Sequence, residues 1–180
     1  MNFNNHILIA LPDMQDKRFK QAIILICEHN ENGAMGLVLN KEMSISTQQV
    51  FEDLTLEPPN TTHTILNGGP LNKSCGFVIH NNNQMYKSSI IIQDELTLTT
   101  SKDLLEDIAG NSFEADWQFM LGYSGWSKDQ LESEIAQNTW LTCPIDLDLI
   151  FHTPKEAQWK KALSLIGINN YQSITGIGHA

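Results

Sequence analysis

Ala22-Ile23-Ile24-Leu25-Ile26-Cys27-Glu28-His29-Asn30-Glu31-Asn32-Gly33-Ala34-Met35-Gly36-Leu37-Val38-Leu39-Asn40 is the stretch from which the fold can be read. Its two apolar runs, 22–28 and 35–40, are too short for helices and rich in Ile, Leu and Val, the pattern of buried strands. Asn30-Glu31-Asn32-Gly33 supplies the turn chemistry that folds them into a hairpin. Upstream, 6–10 is a further apolar strand closed by Pro12-Asp13. Downstream, 64–67 and 75–80 read as strands around Gly68-Gly69-Pro70, and 89–93 as another after Asn81-Asn82-Asn83. A short helix over 47–54 precedes the breaker Glu57-Pro58-Pro59-Asn60.

The second half adds helices. Ser101 is placed to cap a helix with Leu104, Leu105 and Ile108 on its apolar face, ended by Gly110-Asn111. Residues 117–123 read as a buried strand. Ser124-Gly125-Trp126 is then expected to turn into Ser127-Lys128-Asp129-Gln130, a capping box opening a helix to about Asn138. In the last helix Thr153 is the expected N-cap, followed by Pro154 and Glu156, with Trp159, Ala162, Leu163 and Ile166 at i, i+3, i+4 and i+7 and Gly167 at the end. Strands first, helices mostly later and no strict alternation predict one α+β domain over 1–180. Its sheet should be mixed and mainly antiparallel, with about four helices, not a doubly wound parallel fold.

Composition bounds the function. The 180 residues carry 11 Lys+Arg against 21 Asp+Glu, a formal charge of −10, with no basic cluster beyond Lys17-Arg18 and Lys20. Direct nucleic-acid binding is therefore not expected, because phosphate contacts supply most non-specific affinity. The longest apolar run, 22–27, is six residues, far short of the roughly 20 that a membrane helix needs. No membrane association is expected. The N-terminus lacks a cationic region and an apolar core of export length. Three cysteines without a C-x-x-C point to reduced thiols and a cytoplasmic location.

Few residues suggest chemistry. On an extended chain Cys27 and His29 share a face, so His29 is a candidate activator of a Cys27 thiolate. Gly68, Gly69 and Pro70, with Asn40 and His80 at strand ends and Glu28 and His29 at the hairpin, are candidates to line a ligand cleft. Ser124 follows Gly122-Tyr123 but is followed by Gly125-Trp126, so the nucleophile-elbow spacing fails. The six His have no metal spacing, and no metal or cofactor is expected. Asp129, Glu132 and Glu134 read as a solvated helix face near its N-terminus.

Cys27-Glu28-His29 with Gly33-Ala34-Met35-Gly36-Leu37-Val38-Leu39-Asn40-Lys41, then Gly68-Gly69-Pro70, Gly76-Phe77 and His80, resembles the AlgH/YqgE family of bacterial proteins. So do Asp103-Leu104-Leu105, Leu121-Gly122-Tyr123, Gly125-Trp126, Gln130-Leu131-Glu132, Trp140-Leu141, Ile150-Phe151, Trp159 and the terminal Gly178-His179-Ala180. The resemblance implies a bifurcated sheet curled into a pseudo-barrel. It brings the label of transcriptional regulator, without catalytic residues, substrate or cofactor to carry over. Asp129 stands where relatives usually have Gly, and Ser124 where many have Ala. The expectation is a cytosolic, non-catalytic regulatory or binding protein acting through an unknown protein or small-molecule partner. The alternative is a thiol-dependent enzyme or redox sensor using Cys27 with His29.

Overall fold

A computed structural model describes residues 2–61 and 63–171. The terminal Gly178-His179-Ala180 motif lies outside them. The chain runs β1 (His6–Ala10), β2 (Ile23–Asn30), β3 (Gly33–Val38), β4 (Glu42–Ser46), α1 (Thr47–Asp53), β5 (Thr64–Asn67), β6 (Leu71–His80), β7 (Ser89–Gln93), β8 (Leu96–Thr99), α2 (Lys102–Ala109), β9 (Trp117–Ser127), α3 (Gln130–Ala136), β10 (Trp140–Pro144), α4 (Leu147–Phe151) and α5 (Lys155–Leu165). It is an α+β fold whose sheet follows the order β10-β1-β2-β3-β9-β6-β8-β7, with β5 on β9 and β4 on β5. Among the described residues every pairing is antiparallel except β5 on β9.

The sheet forks on β9. Its C-terminal half pairs with β3, from Gly33 opposite Ser127 to Gly36 opposite Ser124. Its N-terminal half pairs with β6 on one side, Val78 opposite Phe119, and with β5 on the other, Leu66 opposite Met120. Where β3 and β9 part, Gly68 fills the gap: its N–H donates to Leu121 O at 2.9 Å and its carbonyl accepts from Val38 N at 2.9 Å. The backbones approach so closely that a Cβ on Gly68 would sit 2.3 Å from Gly122 O. The forked sheet curls into a pseudo-barrel.

Both faces of the central strands are covered, which is why 7–10 and 22–27 are continuous apolar runs instead of alternating ones. Ile7, Ile9, Ile23 and Leu25 pack under α4 and α5 with Trp159, Ala162 and Leu163. Leu8, Ile24 and Ile26 face the other way, against Trp126, Leu131 and Trp140. A third cluster seats α1 and α2 through Phe51, Leu104, Leu105 and Ile108 on Val78 and Phe119.

Several local expectations change. The expected turn at 124–126 is part of β9, because the β3 edge pairs with it. Four elements had no strong local signal: β4, β8, β10 and the five-residue α4, which brings the helices among the described residues to five. Thr153 does not cap α5; its hydroxyl donates to Asp148 O at 3.0 Å, and Pro154 takes the cap position without a side-chain bond. Ser101 flanks α2 as expected, yet its hydroxyl accepts from Ser88 N instead of capping.

Gly68→Ala should lower stability by about 2–3 kcal/mol, because the methyl group meets backbone that cannot yield. Gly110→Ala, at φ −76° with its nearest atom 3.3 Å away, should change it by less than about 1 kcal/mol. Urea unfolding of the two variants checks the contrast; equal, small effects would contradict the close approach.

Candidate functional site

The β2–β3 ladder contains an irregularity that decides the fate of the Cys27–His29 pair. Ile26 pairs with Gly36 and Glu28 with Met35, so Cys27 is the extra residue of a bulge. The bulge shifts the alternation by one. Cys27 stays in the cluster of Leu25, with Sγ 3.7 Å from Leu25 O, while His29 turns to the opposite face. There its Nδ1 accepts from Phe3 N at 3.0 Å, its Nε2 meets Glu132 Oε1 at 2.8 Å, and the Phe3 ring stacks on it at 5.5 Å. The expected shared face does not form. Burial, and secondarily the charge of Glu28, push the Cys27 thiol far above its ordinary range. Cys143 is pushed up to about 11, first by burial.

The other candidates mostly satisfy backbone and core. Asn40 accepts from Ile23 N at 3.0 Å and donates to Gln21 O at 2.8 Å. His80 is fully buried, bonded to Asn82 Oδ1 and Thr99 Oγ1 and edge-on to Tyr86 and Phe113; burial lowers its pKa. The exposed Glu28 accepts from Asn30 Nδ2. Ser124 is 2% exposed, and its hydroxyl reaches Gly68 O at 3.5 Å. Gly68 and Gly69 pack on the backbone of 122–124. The seven cleft candidates therefore do not meet in one place, and Pro70 alone among them lines the cleft described next.

That cleft, about 410 Å³, lies between the C-terminal half of β9, α3, Pro70-Leu71 and the 14–19 loop. Phe19, Trp126 and Trp140 form aromatic walls, with Phe19 and Trp126 each near-perpendicular to Trp140, at 5.7 and 6.4 Å. The Trp126 and Trp140 indole N–H groups both donate to Glu134 Oε2, at 2.9 and 2.8 Å, and Gln130 Nε2 donates to Oε1 at 2.9 Å. Gln130 and Glu134 are four apart on α3 and so share a face. At the rim, Arg18 donates to both oxygens of Asp16, whose carboxyl its hydrogen bond pulls below the ordinary value. Leu71 stands 43% exposed beside it.

Reading α3 as a solvated acidic face missed this. Glu132 holds His29, and Glu134 holds two tryptophans. The available signal was the pair of tryptophans flanking the helix, since a buried indole N–H requires an acceptor. The capping box forms in part: Gln130 Oε1 accepts from Ser127 N, while its amide turns to Glu134. Asp129 stands at φ 60°, a left-handed position that glycine adopts without the steric cost a side chain brings. Among the described residues no three or more His, Cys, Asp or Glu side chains are grouped to hold a metal.

The AlgH-like family model matches residues 7–171. This chain belongs to the AlgH-like family. It is 42% identical to a UPF0301 protein of Photobacterium profundum and 40% identical to one of Vibrio cholerae, each alignment covering 100% of both chains. Its fold resembles the solution structure of the AlgH protein from Pseudomonas aeruginosa, with a TM-score of 0.81 and 38% identity over 99% of this chain and 96% of that one. A Corynebacterium diphtheriae protein shares the fold at a TM-score of 0.77 and 20% identity, over 95% and 92% of the two chains. The overall fold is thus shared by this AlgH-like chain and those two solved structures.

Iodoacetamide should leave Cys27 untouched in the folded protein between about pH 7 and 9, while the partly exposed Cys75 reacts. Peptide mass mapping with and without denaturant reads this; fast labelling of Cys27 with a midpoint below about 8.5 would contradict its burial.

Proposed function

We propose that this AlgH-like chain is a non-catalytic binding protein with a regulatory role in the bacterial cytosol. It acts through a small ligand seated between Phe19, Trp126 and Trp140, not through direct DNA contact. The convergence of two indole N–H groups on one Glu134 oxygen carries this reading. Such a clamp fixes both rings before any ligand arrives, so little side-chain freedom is lost on binding. The cleft has the size and the mixture of apolar walls and few polar groups typical of small-molecule sites. A flat, largely uncharged ring system suits it, because Glu134 is already satisfied and Arg18 is occupied by Asp16.

Other observations support the same class. The net charge of −10 opposes a phosphate backbone. Cys27, Cys75 and Cys143 are free thiols, and no helix of the described residues is long and apolar enough to cross a membrane. The burial of Cys27 away from His29 disfavours the thiol-enzyme alternative.

The four tryptophans give four indole N–H resonances, which separate the cleft from the core. Titration with indole and naphthalene fragments should shift those of Trp126 and Trp140 and leave Trp159, bonded to Ala10 O, in place. Fragments that move Trp117 or Trp159 only, or none of the four, would overturn the reading.

A further inference from the structure

A second chamber, about 310 Å³, opens at the start of α5. Lys155, the first residue of that helix, extends into its wall, and its Nζ is buried with no hydrogen-bond partner among the described residues. Gln118, on β9, donates its amide to Ile150 O at 2.6 Å, which leaves its Oε1 buried and equally unpartnered. A cation in the first turn of a helix is also opposed by the helix dipole. Three unfavourable features therefore coincide in one cavity, the grouping expected where a fold holds residues for chemistry and not for stability.

We propose that this chamber binds a small uncharged aldehyde or ketone and that the Lys155 amine joins it as an imine. The Nζ lone pair attacks the carbonyl carbon; the carbinolamine then loses water, so that amine plus carbonyl gives imine plus water with no change of oxidation state. The surroundings fit. Burial lowers the Lys155 pKa to about 8, so about a tenth of the amine is unprotonated at pH 7 and about a quarter at pH 7.5. His63, lining the same chamber edge-on to Trp117 at 4.6 Å, has its pKa lowered, first by desolvation and then by the Lys155 charge, which favours the neutral imidazole that can relay the proton the carbinolamine step requires. Glu42, the nearby carboxylate that partly opposes the Lys155 shift, is the counter-charge for a protonated imine. Asp116, bonded to Asn81 and His152, and Glu156 complete the acidic rim, which disfavours anionic carbonyl compounds. Trp117, Phe151 and Leu66 provide apolar walls for the body of the ligand.

The test traps the imine with cyanoborohydride at about pH 7.5, using benzaldehyde as the probe and glyoxylate as its anionic counterpart. Peptide mapping should place the benzyl adduct on Lys155 at least about tenfold above each of the nine other lysines. The rate should saturate with benzaldehyde concentration, fall at least about tenfold with glyoxylate and vanish at this site in Lys155→Met. Trp117→Ala, which opens the wall but keeps the amine, should remove the saturation. Adducts spread evenly over the lysines would overturn the proposal. So would labelling of Lys155 that rises linearly without saturation, the mark of a reactive amine with no binding chamber.

Discussion

A close approach of two backbones organises the fold: Gly68 is wedged into the fork where β9 leaves β3. Its amide and carbonyl complete the ladders of both strands at the point where neither can serve the other. Without that wedge, Val38 N and Leu121 O would be buried without partners, a cost of about 1–3 kcal/mol each. Only a residue without Cβ fits, because Gly122 O lies 2.3 Å from where the methyl carbon would be. The fork lets one eleven-residue strand belong to two sheet halves, and so lets one chain cover three apolar clusters.

Both chambers are consequences of the fork. The C-terminal half of β9 carries Trp126 to α3, where Glu134 ties it to Trp140 on β10 and closes the aromatic cleft. The N-terminal half carries Trp117 and Gln118 toward α4 and α5, where they line the second chamber together with Lys155. The same strand thus supplies one wall of each site from opposite ends. In the aromatic cleft the polar groups are satisfied; in the lysine chamber two are not, which separates a pre-shaped binding surface from a reactive one.

Much of this was legible in the residues, and the reason differs by element. The hairpin at 22–40 and the last helix follow from local chemistry, an Asn/Gly turn and a 3.6-residue period. The residues resembling AlgH/YqgE carried the curl of the sheet, which no local pattern encodes. The bulge at Cys27 was not legible, because it is defined by which residue of β3 each residue of β2 meets. The continuation of β9 through Gly125-Trp126 was hidden likewise: glycine and serine read as a turn until Gly33–Gly36 pair with them. Glu134 looked like any exposed acid, since its partners arrive from strands on either side. Lys155 did leave a trace, a cation placed where the helix dipole disfavours one.

Native-state hydrogen exchange at the fork tests the central claim most directly. The amides of Val38 and Gly68, bonded to Gly68 O and Leu121 O, should exchange as slowly as the slowest amides of β1 and β2, so that they open only on global unfolding. Exchange of these two amides through a local opening, at a free energy well below that of β1 and β2, would show that the wedge does not hold the two halves together.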